Sequence, residues 1–345
     1  MERREWEACL AGRGAIESLE RTVAEALGVP WAVSVASGTL ALYFALRAAG
    51  VRAGDEVILP AFDWFAATAA VLHCDAVPCY ADVSRATYTL SPHAVARCRT
   101  ARTRAVITTH LFGNPCDMPA LRRWCDRHQI ALIEDLSQAM GATCAGRPVG
   151  AWGDLACLSL TFSKPLTSGE GGLILTPHAH LYERLLTLCA HPLRQHYAGL
   201  EPDPFSLRAP LNPLGVELFR KSWAQLPIQL QQRQRALQEW NARLAQIGVP
   251  LLPVQVQLNA THALLYYCPL VPPGHSPAQV VATLQSHGIL ARVGSPAHYL
   301  PLALRRALQA GHWRHHPDVA NLFHASRARC PNARQLASNL LTVDI

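Results

Sequence analysis

Lysine is almost missing from this chain. Of its 31 basic side chains only Lys164 and Lys221 are lysines, and the rest are arginines. Arginine stays protonated and cannot act as an amine nucleophile, so chemistry that needs an amine has two candidates. Charge of any kind is scarce: 16% of the 345 residues, against about 25% in an average protein. The surplus of basic over acidic groups, 31 against 24, is scattered rather than blocked. That argues against a nucleic-acid partner and suits a pocket for a small anion. A chain that is 50% apolar with so little charge would expose large apolar patches as a monomer, so a homodimer is expected.

Other absences narrow the class. No G-x-G-x-x-G occurs, which demotes nicotinamide and flavin enzymes. The eleven cysteines are odd in number and contain no C-x-x-C, which argues against a disulfide framework or a structural zinc site and for a reducing compartment. No run approaches the ~18 apolar residues of a membrane span. The segment from Met1 to Glu7 is charged and lacks an apolar core, so no secretory signal is expected and the expected location is cytoplasmic.

What is present is a regular alternation. Strand patterns at Ala32–Ala36, Glu56–Leu59, Val77–Tyr80, Ala105–Thr109, Ile130–Glu134, Leu155–Leu160 and Gly172–Thr176 alternate with helical ones at Thr39–Ala49, Phe65–His73, after Ser91-Pro92, Pro119–His128 and Ala179–Cys189. This predicts an α/β domain with a mostly parallel sheet covered on both faces. After Cys189 the pattern predicts a loop over His191–Pro213 and a long helix Glu217–Leu244 broken near Pro227. Beyond these it predicts a strand Ala263–Leu270, a helix Pro277–His287, a strand Ile289–Val293 and a helix Asn332–Leu340. The division expected is a large α/β domain over 1–205 and a smaller α+β domain over 206–345.

In such a sheet, ligands bind beyond the carboxyl ends of the strands. Ser37-Gly38-Thr39 opens a helix there and offers free N–H groups to a phosphate. Trp64, in Phe62-Asp63-Trp64-Phe65, is an aromatic plate for a planar ring, with core packing the bland alternative. Asp135 is a strand-end carboxylate that needs a cationic or N–H partner. Lys164 follows another strand, just before the glycine-rich Gly169-Glu170-Gly171-Gly172. A phosphate cradle, an aromatic plate, a carboxylate and an amine together are what pyridoxal 5′-phosphate requires, the amine forming a Schiff base with its aldehyde.

From about Trp6 to Leu186, and more loosely to Leu340, the chain resembles the DegT/DnrJ/EryC1/StrS aminotransferases, which act on keto-sugars and keto-cyclitols. The likeness is carried by Ser37-Gly38-Thr39-Leu40-Ala41-Leu42, Gly54–Phe62, His110-Leu111-Phe112-Gly113, Ile133-Glu134-Asp135 with Gln138-Ala139, Gly153-Asp154, and Ser159 with Lys164 and Gly169–Gly172. The resemblance implies fold type I of the pyridoxal-phosphate enzymes and a homodimer with shared active sites. It implies a keto acceptor and glutamate or glutamine as donor.

It also implies roles for single residues. Lys164 would be the Schiff-base lysine and proton shuttle, and Asp135 the partner of the pyridine nitrogen. Trp64 would stack on the ring and Gln138 lie near its phenolic oxygen. Gly38, Thr39 and Ser159 would hold the phosphate. The stretch Ser163–Gly172 looks closest to members acting on keto-cyclitols. The partner-loop region Ser206–Pro213 departs from the family pattern, leaving Arg208 and Asn212 both open for its role, and Arg334 stands where the family usually carries an acid. Two alternatives accompany this reading: a cofactor-binding paralogue without transaminase activity, and a sugar dehydratase, which would carry histidine in place of the lysine. His191, Arg194 and His196 are candidates for substrate contact. No metal site is expected from His312, His315 and His316.

Overall fold

The computed structural model describes residues 7–8, 10–256 and 259–343; Trp6, where the resemblance begins, lies outside them. Seven apolar segments form the central sheet: β1 (Trp31–Val35), β2 (Glu56–Pro60), β3 (Val77–Ala81), β4 (Thr103–Thr109), β5 (Ala131–Asp135), β6 (Leu155–Ser159) and β7 (Gly172–Thr176). Their spatial order is β1-β7-β6-β5-β4-β2-β3. Neighbours pair in parallel from β6 to β3, and β7 alone runs antiparallel to both its neighbours. The strands are apolar along nearly their whole length because helices cover both faces.

The helices are α1 (Ala15–Leu27), α2 (Gly38–Ala48), α3 (Phe65–His73), α4 (Pro92–Cys98), α5 (Met118–His128), α6 (Ala179–Cys189), α7 (Pro192–Tyr197), α8 (Gly215–Ile247), α9 (Pro277–Ser286), α10 (Leu300–Gln309), α11 (Val319–Ala325) and α12 (Pro331–Asn339). One apolar cluster joins a sheet face to α2, α3, α6, α10 and α12; a second joins the other face to α1, α5 and the start of α8. A small third cluster lies among Leu244, Tyr267, Leu284 and Leu341.

The structure corrects the sequence reading at three places beyond Cys189. The segment 191–213 is not all loop, since α7 forms with Pro192 at its start. Helix α8 is not broken at Pro227 but runs through it. Pro227 is exposed, off the face of α8 that buries Phe219, Ser222 and Leu226. Ala263–Leu270 is not a regular strand. Ala263 and Leu265 donate to the Gly113 and Phe112 carbonyls, and only single bridges form at Tyr267 and Leu270. Its apolar residues record a buried crossing rather than a ladder. Helices α1, α10 and α11 are additional to the elements read from sequence.

Candidate active site

Two close approaches shape the carboxyl edge of the sheet. Gly172 pairs with Val35 on one side and Ser159 on the other, so the ends of β1 and β6 flank the start of β7. A Cβ on Gly172 would meet the Ser37 carbonyl oxygen at 2.3 Å, and one on Gly38 would meet the Ser159 Cβ at 2.6 Å. Only glycine lets the turn into α2 pass this close to the strand ends. Ser37 caps α2, its hydroxyl accepting from the Leu40 N–H, and the Gly38 and Thr39 N–H groups head a helix whose first turn has no internal acceptors.

Seven side chains or backbone groups picked from sequence line one cavity of about 360 Å³: Gly38, Thr39, Trp64, Asp135, Gln138, Ser159 and Lys164. They come from the ends of different elements, as an open α/β sheet allows. Asp135 ends β5, its carboxylate accepting from the Ser137 N–H at 2.9 Å. Gln138 is buried, its amide oxygen accepting from the Phe112 N–H at 2.8 Å. Ser159 donates its N–H to the Ser137 hydroxyl. Trp64 is half exposed ahead of α3, beside Phe65 and His298. Burial lowers the Lys164 ammonium from its ordinary range, opposed by the charges of Asp135 and Asp63. Lys221, the other lysine, is exposed on α8 and does not line this cavity.

The cavity also holds groups the sequence reading passed over. Asp63 is buried at 2% exposure. One of its oxygens accepts from the Thr109 hydroxyl at 2.5 Å and the other from the Trp64 N–H at 2.7 Å. Burial, then the charge of Asp135, raise its carboxyl to about 7; the two hydrogen bonds and Lys164 pull the other way. It closes a two-residue strand, Phe62–Asp63, too short to stand out in the sequence. Tyr266 reaches the cavity from the crossing segment, where no local pattern marks it.

Other expectations fall elsewhere. Arg194 does not line this cavity: its guanidinium is tied at 2.7 and 3.0 Å to the Glu20 carboxylate, a buried pair between α7 and α1. His191, Arg194 and Arg208 line a separate apolar cavity of about 280 Å³. His196 packs beside Tyr197, and the Asn212 side chain accepts from the Leu214 N–H. The substrate-contact reading of His191, Arg194 and His196 is therefore not met within one chain. His316 is buried with Nδ1 accepting from the Asp318 N–H, and no metal-binding group of three side chains forms among the described residues.

Directly behind Asp135, Glu134 is fully buried and accepts N–H donors from Gly150, Trp152 and Gly153 at 2.6–2.8 Å. His110 Nε2 lies 3.1 Å from the same carboxylate. The Cys116 N–H points at His110 Nδ1, so Nδ1 is the acceptor and Nε2 carries the hydrogen given to Glu134. One carboxylate thus locks the ends of β4 and β5 to the turn before β6.

Comparison with known proteins places this geometry. Over 338 residues the chain is 33% identical to UDP-N-acetyl-3-dehydro-alpha-D-glucosamine 3-aminotransferase of Acidithiobacillus ferrooxidans, covering 94% of this chain and 82% of that protein. Over 165 residues it is 46% identical to L-glutamine:2-deoxy-scyllo-inosose aminotransferase of Streptomyces fradiae, covering 48% of this chain and 39% of that one. That match spans about two fifths of the relative's length. Among solved structures, 3-amino-5-hydroxybenzoic acid synthase superposes with a TM-score of 0.80 at 27% identity, covering 96% of this chain and 85% of that one. The fold is therefore fold type I. A family model matches residues 9–344, and on that breadth the chain belongs to the DegT/DnrJ/EryC1/StrS aminotransferase family.

Proposed function

We propose that this chain is a pyridoxal-phosphate-dependent aminotransferase that moves an amino group from glutamate or glutamine to a keto-cyclitol or keto-sugar, working as a homodimer. The observation that carries the reading is the shared cavity. One of two lysines in the chain faces a strand-end carboxylate and a helix N-terminus, while the other lysine is exposed elsewhere.

The residues fit the cofactor. The close approach of Gly38 to Ser159 leaves α2 presenting N–H groups, with the Thr39 and Ser159 hydroxyls, to a phosphate. Trp64 offers the plate, Asp135 a negative charge for a ring N–H, and Gln138 an amide beside the phenolic oxygen. When bound, pyridoxal 5′-phosphate supplies an aldehyde for the amino group and a ring that takes up the electron pair freed at the substrate carbon. Burial favours the neutral amine of Lys164, the form that acts as nucleophile and can take up the proton from the donor's amine-bearing carbon. Lysine here, where a dehydratase carries histidine, supports transfer.

Homodimer formation has its own support. Phe162, Phe205 and Leu214 are 74%, 91% and 84% exposed. Phe162 and Leu218 flank Gly169 beside the cavity, and Leu214 lies one turn before Leu218. Apolar groups this bare call for a covering surface. In the proposed dimer the segment 205–214, which carries Arg208 and Asn212, reaches the neighbour's cofactor site.

The relatives named above act on a nucleotide-linked keto-sugar and on a cyclitol ketone, and the acceptor class proposed here spans both. The test is a half-reaction screen. The protein is loaded with pyridoxal phosphate, converted with glutamate or glutamine, and offered scyllo-inosose-type ketones and nucleotide-linked keto-sugars. The expected result is bleaching of the visible band by the donor and its return with one acceptor class. A band that no amine donor bleaches would overturn the reading.

A further inference from the structure

Three carboxylates line the cavity where a single ring nitrogen needs one: Asp63, Asp135 and Glu170, the last exposed and accepting from the Thr161 hydroxyl. We propose that Asp63 is a second acidic group of this site, coupled to Asp135 across their common neighbour Thr109. The proposal rests on the cofactor reading only for what the pair would bind.

Three observations carry it. Asp63 and Asp135 line the same cavity from different strands. Thr109 stands opposite Asp135 in the β4–β5 register, and its hydroxyl is bonded to the Asp63 carboxyl, so one residue neighbours both acids. Asp63 is the more deeply buried of the two, at 2% exposure, and its other oxygen is committed to the Trp64 N–H. Two carboxylates this near cannot both ionise cheaply, and the one farther from water keeps the proton.

Glu170, exposed and accepting from the Thr161 hydroxyl, and Tyr266 also line the cavity; three further groups bear on Asp63. β5 brings Asp135, the segment after β6 brings Lys164, and the short strand His298–Tyr299 pairs His298 directly opposite Asp63. Burial lowers the His298 imidazole, which keeps that neighbour neutral. Lys164 therefore faces the pair as its counter-charge. The arrangement leaves Asp135 as the single anion offered to a ring N–H. Asp63 acts through Asp135 and by orienting Trp64, which makes it a positioning residue. Once a cation rests on Asp135, the repulsion that holds the proton on Asp63 falls, and Asp63 releases it more readily.

The test is a carbon-13 carboxyl titration of protein to which no cofactor has been added. The Asp63 signal is assigned by its absence from Asp63→Asn, or by sequential assignment if that variant does not fold. The expected midpoint is near neutrality in the natural chain, falling by about one unit or more in Asp135→Asn. Addition of pyridoxal phosphate should also lower it. A midpoint in the ordinary aspartate range, or one that Asp135→Asn leaves unmoved, overturns the pair and leaves Asp63 as a turn residue for Trp64. Failure of pyridoxal phosphate to give a visible band counts against the cofactor reading alone, because the first titration does not involve it.

Discussion

A carboxyl group that holds its proton more tightly when folded makes the native state sensitive to pH in one direction. Asp63 titrates at about 7 in the fold, because of burial and then Asp135, against 3.8 for the free side chain. Between those values the native state binds more protons than the unfolded one, so stability declines as pH rises through the window. The cost of ionising Asp63 in place is on the order of 4 kcal/mol. Asp63→Asn, which cannot ionise, should therefore raise the urea midpoint more at about pH 8 than at about pH 4. Equal changes at both would mean that its charge plays no part. Lys164 was legible because lysine is so scarce that position alone separates two candidates. Asp63 was not, because its neighbours drew attention to the aromatics and its burial depends on Thr109 and the distant His298 strand.

Among the elements, the buried Glu134 links β4, β5 and the turn before β6, so the Asp135 carboxylate rides on a fixed strand end. In Glu134→Gln an amide NH₂ would confront backbone N–H groups that need an acceptor. The expected loss is about 3 kcal/mol, read as a lower urea midpoint. Loss of under about 0.5 kcal/mol would show that the turn is held by other contacts. The seven strands and the helices between them were legible because continuous apolar runs alternate with helical patterns; α1, ahead of the first strand, was not read. Beyond Cys189 the reading weakened for physical reasons. Pro227 sits at an exposed position of a helix that continues through it, and Ala263–Leu270 is apolar because it is buried, not because it pairs. Tyr266 reaches the cavity by that crossing, which no local periodicity announces.

For the molecule as a whole, the proposed dimer joins the bare apolar rim around Phe162 and Leu218 to the neighbour's 205–214 segment. Light scattering at low micromolar concentration should give twice the 37.7 kDa chain mass. Dilution or mutation that yields monomer should release the cofactor, read by visible absorbance; a monomer that keeps its colour would separate the site from the interface. The central claim is narrower and more directly open to measurement: Lys164, not Lys221, bonds the cofactor. Protein incubated with pyridoxal phosphate is reduced with borohydride, digested, and its peptides weighed. The account predicts one pyridoxyl-phosphate label per chain, on Lys164, with Lys221→Ala unchanged and Lys164→Ala unlabelled. Label on Lys221, or none on either, would contradict it.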